Sequence, residues 1–115
     1  MKKLIGIGVC AIFLIIACTK SSSEKSDPPV DCGTITTTFS ANVFPLMTSS
    51  CAKPDCHAAG STNGPGALTN YTQIFNSRDR IRANVASGNM PQDATFSAMQ
   101  KAIIMCWIDA GAQNN

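Results

Sequence analysis

The chain has one histidine, one tryptophan and one tyrosine among its 115 residues, and charged residues make up only 14% of it. With a single imidazole, no site that needs two histidines from the same chain is available. The basic residues form no cluster that would track a phosphate backbone, so nucleic acid is not an expected partner. Strand-like alternation of apolar and polar residues is missing, which argues against a sheet-based fold. No internal repeat is present, so a stacked-repeat architecture is not expected. No apolar run reaches the roughly 20 residues that a helix needs to cross ~30 Å of hydrocarbon.

What is present begins with a basic start, Met1-Lys2-Lys3, and an apolar run of fourteen residues from Leu4 to Ala17. The run closes on Ile15-Ile16-Ala17-Cys18. This resembles the lipobox of bacterial lipoproteins, in which the chain is cut before the cysteine and lipid is attached to its sulfur. The resemblance implies a signal peptide at 1–17, lipidation of Cys18, export, and anchoring to the cell envelope, facing the periplasm or the outer surface. Stable anchoring takes more than one acyl chain, which a lipoprotein N-terminus supplies. An ordinary secretory signal cut elsewhere is the alternative. Loss of Lys2 and Lys3 leaves seven basic and seven acidic residues, so the formal charge of +2 says nothing about an acidic partner. Residues 18–31, with "TKSSSEKSDPPVD" after the cysteine, read as a lipidated flexible tether that spans on the order of 20 Å.

Residues 32–115 then form one domain of 84 residues. A domain this small buries a modest core and often needs a disulfide, a metal or a cofactor. Of the six cysteines, Cys10 falls in the signal and Cys18 takes lipid, leaving Cys32, Cys51, Cys56 and Cys106 in an oxidising setting.

The apolar pattern predicts a mostly helical domain. Ser40 can cap a first helix through "ANVFPLMTSS", with Val43, Phe44 and Met47 on one face and Pro45 delaying or bending its start. Residues 58–66, "AAGSTNGPG", read as loop. Asn70 can cap a second helix from Tyr71 to about Ala86, ended by Gly88, with Arg78, Asp79, Arg80 and Arg82 on a solvated face. Thr95 can cap the last helix, with Phe96, Met99, Ala102, Ile103 and Cys106 on a stripe, Trp107 beside it and Gly111 closing it. Long loops in so small a domain are expected to surround something.

The chemistry concentrates in "SSCAKPDCHAAG", residues 49–60. In a c-type haem site two cysteine sulfurs form thioethers with the porphyrin, and the histidine that follows the second cysteine ligates the iron. Cys56-His57 has that adjacency, although four residues separate Cys51 from Cys56 where two are usual. Pro54 disfavours helical geometry at Lys53, so residues 52–55 are expected to loop outward. Such a loop can lengthen at little entropic cost. The reading is one covalently attached haem c, on Cys51 and Cys56, with His57 as an axial ligand. For the other axial position Met47, Met99 and Met105 are expected in the core, whereas Met90 sits in the polar loop "SGNMPQD" with no packing motive. A thioether opposite histidine would raise the reduction potential. Without Met90 the iron would be five-coordinate, which opens gas sensing or peroxidase-like activity. Cys32 and Cys106 are left over; they stay as buried thiols or pair, and pairing would be worth roughly 4–5 kcal/mol by chain entropy. Two other readings use the same residues. One pairs Cys51 and Cys56 with each other or with Cys32 and Cys106; the other places zinc on Cys51, Cys56 and His57, where adjacent ligands are awkward around a tetrahedral ion.

"FSANVFPLMTSSCAKPDCH", "NMPQD" and "CWIDAGAQN" together resemble, in that order, three signatures of small bacterial class I-like cytochrome c domains, often found on exported lipoproteins. The resemblance runs from about residue 38 to 114, and the spacing of Cys51 and Cys56 departs from it. It implies an all-α, cytochrome c-like fold of about three helices with long loops around one haem. It further implies attachment at Cys51 and Cys56, His57 as proximal ligand and Met90 as distal ligand. The first and last helices would cross near Phe44 and Trp107, and the carbonyl of Pro65 would accept the His57 ring N–H. The implied function is non-enzymatic: a lipid-tethered electron carrier serving redox partner proteins. The alternative is a cofactor-free, disulfide-stapled lipoprotein interaction module.

Overall fold

The computed structural model describes residues 31–115. The expected signal peptide, the expected lipid site at Cys18 and the expected tether up to Val30 lie outside the described residues. The described chain holds four α-helices, with no strand among the described residues. None of its helices is long and apolar enough to cross a membrane.

Asp31 starts the first ordered turn, its carboxylate accepting the Gly33 N–H at 2.9 Å ahead of a short 3-10 helix, Cys32–Thr34. After an extended stretch, a π-helical turn, Phe39–Val43, feeds α1, Phe44–Ser50. The cap is Thr38, whose hydroxyl accepts the Ala41 N–H at 3.3 Å, and not Ser40 as expected. Thr38 wins because Asn42 takes its backbone N–H at 2.9 Å, so the residue is held from both sides. Pro45 lies at the start of α1, where its missing N–H leaves no intrahelical bond broken.

The expected second helix is two helices, α2 at Tyr71–Asn76 and α3 at Arg78–Ser87. Asn70 caps α2 with its side chain on the Gln73 N–H, and Gly88, with φ at 75°, ends α3. The break falls at Ser77 (φ −101°, ψ 1°), whose N–H is shared between the Gln73 and Ile74 carbonyls. Arg78 fixes the corner, donating to the Phe75 carbonyl at 2.9 Å while its guanidinium lies 4.2 Å from the Phe75 ring centre. The arginines therefore do more than face solvent: Arg82 makes a two-point pair with Asp109 at 2.7 and 2.9 Å.

The last helix, α4, runs Ala98–Asp109 and is capped by Ser97, two residues beyond the expected Thr95. The reason is a reciprocal cap: Ser97 accepts the Gln100 N–H while Gln100 accepts the Ser97 N–H. Thr95 has alanine three residues on and cannot form it. At the other end the Gly111 and Ala112 N–H groups bond the Ile108 and Trp107 carbonyls, which closes the helix through the left-handed Gly111.

Phe39 is the hub of the packing. Its ring lies 5.5 Å from Trp107, 5.4 Å from Phe44 and 5.1 Å from Tyr71, edge-on to the last. The first and last helical segments do meet here, but Phe39 stands between Phe44 and Trp107 as the residue that joins them. Val43, Ile74 and Ile104 are fully buried around this cluster. Met99, expected in the core, is 59% exposed, because the buried stripe of α4 runs through Ala102, Ile104, Cys106, Trp107 and Ile108. The tail is bound down as well. Gln113 and Ala112 carbonyls accept from Trp107 Nε1 and Tyr71 Oη, and Asn115 accepts the Phe39 and Ser40 N–H groups at 2.8 Å each.

Cys32 and Cys106 form a disulfide with Cα atoms 5.4 Å apart, fastening the start of the domain to α4. It closes a loop with a sequence separation of 74 residues. Replacing both (Cys32→Ser with Cys106→Ala) should lower unfolding free energy by roughly 4 kcal/mol through the freed denatured chain. Urea denaturation of the oxidised protein and the double variant checks this; equal midpoints would show the bond to be a bystander.

Candidate functional site

The end of α1 sets the first wall of a cavity. Met47 and Cys51 are four residues apart on one helical face, and both are buried. The helix stops where Cys51 and Ala52 both donate to the Met47 carbonyl at 2.9 Å. The chain then loops through Lys53, Pro54 and Asp55, and Asp55 takes a positive φ of 63°. Aspartate tolerates that region better than most residues. The loop is closed by its own backbone: Cys56 and Ala58 donate to the Lys53 carbonyl, and His57 donates to Cys51 at 3.1 Å. Four residues thus fit between the two cysteines without disturbing the return of Cys56 and His57.

His57 is 8% exposed, and the Leu68 N–H takes its backbone carbonyl at 2.9 Å. Its ring Nδ1 lies 2.9 Å from the carbonyl oxygen of Gly66. A carbonyl can only accept, so Nδ1 carries a proton, and in the neutral ring Nε2 keeps its lone pair. The acceptor is Gly66, not Pro65. Gly66 sits at φ 89°, and its N–H bonds the Asn63 carbonyl at 2.8 Å. That left-handed turn brings the glycine carbonyl to the ring, and a side chain there would be strained. Pro65 stands one residue earlier, on the wall of the cavity.

The cavity has a volume of about 620 Å³, within the usual range for small-molecule sites. Cys51, Cys56, His57, Pro65 and Met90, all singled out on the sequence, line it together. Met47, Leu68, Ile81, Val85 and Pro91 supply apolar wall, and Asp55, Arg80, Asn84 and Asp93 add polar groups. Met90 is held by its N–H bond to the Asn84 carbonyl at 3.2 Å, and the Met90–Pro91 peptide is cis. Met47, read as core, is both core and cavity wall.

Cys51 and Cys56 are free thiols. Burial pushes the Cys51 thiol up to about 11, with Cys56 and Asp93 adding to the rise and Lys53 opposing it. It is held as the neutral thiol near physiological pH. Among the described residues no group of three His, Cys, Asp or Glu side chains is placed to hold a metal ion. The donor set does fit a haem. It offers one oriented imidazole with a free Nε2, soft thioethers, two unpaired sulfurs and apolar walls. No protein family, curated protein or solved structure matches this chain.

Three features escaped the sequence reading. Gly66 acts through a backbone carbonyl, which no residue type announces. Arg80 and Asn84 reach the cavity from α3, although an i, i+4 spacing with Asn84 was there to find. Lys53 and Asp93 form an ion pair at 2.8 Å across 40 residues of sequence.

In the protein with free thiols, iodoacetamide should modify Cys51 slowly near neutral pH, with the rate climbing only toward about 11. Peptide mass spectrometry checks this, and labelling at the rate of an exposed cysteine would contradict it. The folded value lies above the ordinary 9.0, so the folded thiol holds its proton longer than the unfolded chain does. Its contribution to stability is full below about 9 and is lost as pH rises to about 11.

Proposed function

We propose that the domain is a monohaem c-type cytochrome, an electron carrier rather than an enzyme, tethered to the cell envelope through lipid on Cys18. One observation carries the reading: Cys51, Cys56, His57 and Met90 line a single cavity, with both thiols unpaired and the imidazole oriented by Gly66. A haem bound there supplies a one-electron ferric–ferrous couple. Cys51 and Cys56 are the residues that would attach it covalently. His57 would hold the iron through Nε2, its ring fixed by the bond from Nδ1–H to Gly66. Met90 would hold the iron through its thioether sulfur, which would raise the potential relative to a second nitrogen ligand. Leu68, Ile81, Val85 and Met47 keep water away from the cavity walls and favour the less charged, reduced state. Partners on this reading are redox proteins that dock where the group reaches the surface.

A second reading keeps one observation in its favour. The Cys32–Cys106 bond is what a cofactor-free, disulfide-stapled interaction module would rely on. On that reading Cys51 and Cys56, free thiols here, would also pair.

The test is expression with a haem-maturation system, denaturing electrophoresis and a haem stain. Colour should migrate with the polypeptide, and Cys51→Ala with Cys56→Ala should abolish it. A colourless band of bare peptide mass would favour the stapled module. Met90→Ala should remove the weak red-edge absorption band that a methionine sulfur gives ferric haem, and a persisting band would assign the ligand to another methionine.

A further inference from the structure

The loop between Cys51 and Cys56 and the loop that carries Met90 are joined by an ion pair. Lys53 Nζ donates to Asp93 Oδ2 at 2.8 Å. Lys53 is one of the residues in the long spacing between the cysteines, and Asp93 stands three residues after Met90. Both ends of the bond are anchored. The Lys53 carbonyl accepts the Cys56 and Ala58 N–H groups at 3.1 and 3.2 Å, so the lysine stem starts from a fixed turn. Asp93 lines the cavity within its loop, between the buried Pro91 and Phe96. An isolated pair on a surface contributes little to global stability. A pair that joins two loops acts instead on their relative position.

We propose that Lys53 and Asp93 form a clasp at the cavity rim that positions Met90, so that the lengthened loop between the cysteines serves to secure the methionine ligand. The inference rests on the reading of this cavity as a haem site. Both side chains are positioning residues, acting on iron ligation through Met90. With the clasp closed, the Met90 thioether is confined near its partner, and an external ligand must compete with that local concentration. With it broken, the loop retains the Met90–Asn84 bond but samples more open positions, and competitors gain.

The experiment uses the haem-bearing full chain in four forms: wild type, Asp93→Asn, Lys53→Met, and the charge-swapped Lys53→Asp with Asp93→Lys. Imidazole is titrated into the ferric protein, and loss of the methionine–iron band reports displacement. Each single variant should bind imidazole about two- to fivefold more tightly than wild type at low salt, as loss of a modest ion pair predicts. The swapped pair should return the affinity toward wild type. Raising salt should bring wild type toward the single variants and leave those variants unmoved, because screening weakens the exposed pair. Amide hydrogen exchange at Met90 should be faster in Asp93→Asn than in wild type, a readout independent of electron transfer. Equal imidazole affinity in wild type and single variants, with the methionine band present in all, overturns the clasp and leaves the haem reading standing. So does a lowered melting temperature with no change in imidazole affinity, which would mark a purely structural pair. A wild-type protein that carries no haem, or a band that survives Met90→Ala, instead overturns the site reading and takes the clasp with it.

Discussion

Lining a partly open cavity of about 620 Å³ is a demand on a domain of this length, because core side chains must give up part of their packing to form its walls. Met47, Cys51, Leu68, Ile81 and Val85 belong to the core and to the cavity wall at once. Each of them gives one face to the cavity that would otherwise pack against another side chain. The architecture depends on holding those walls in place by more than their own packing.

The holding is done by bonds at the periphery. The Cys32–Cys106 disulfide ties the first described turn to α4, and the tail residues Ala112–Asn115 accept hydrogen bonds from Trp107, Tyr71, Phe39 and Ser40. Together they fix the aromatic cluster around Phe39, from which α1 leads toward Cys51. Nearer the cavity, short backbone bonds do the same for the loops: His57 to Cys51, Leu68 to His57, Gly66 to Asn63. The imidazole is then oriented by a backbone carbonyl on a loop that is itself closed. The order of support runs from staple to aromatic hub to helix to cavity loop.

What could be read from the sequence follows from the range of each interaction. Helicity, the Asn70 cap and the Gly88 and Gly111 stops depend on residues a few positions apart, and all appear in the structure. The serine–glutamine cap at Ser97 and Gln100 is equally local and legible, whereas Thr95, with alanine three residues on, lacks the partner that completes such a cap. Cys51, Cys56, His57 and Met90, singled out on the sequence by residue type, line one cavity, although spacing alone could not say where the Met90 loop folds back. The displaced partner of the imidazole, Gly66 in place of Pro65, was hidden because any residue carries a carbonyl and only the turn decides which one arrives. Phe39 was overlooked for a similar reason: its role depends on Trp107 and Tyr71, far away in the chain. The division of the middle helix at Ser77 turns on a guanidinium reaching back over Phe75, a tertiary detail that helical periodicity passes over.

The placement of the disulfide has a mechanical consequence. A pull applied at Asp31, the first described residue, enters Cys32 and has two routes into the domain. One is the covalent bridge directly to Cys106 in the middle of α4; the other is the extended strip that leads to Phe39. Both end on the aromatic cluster, and neither passes through the segments at 51–68 or 89–93 that line the cavity. Tension or jostling on that side of the molecule is carried by the disulfide and the aromatic cluster, while the cavity loops remain outside the load path.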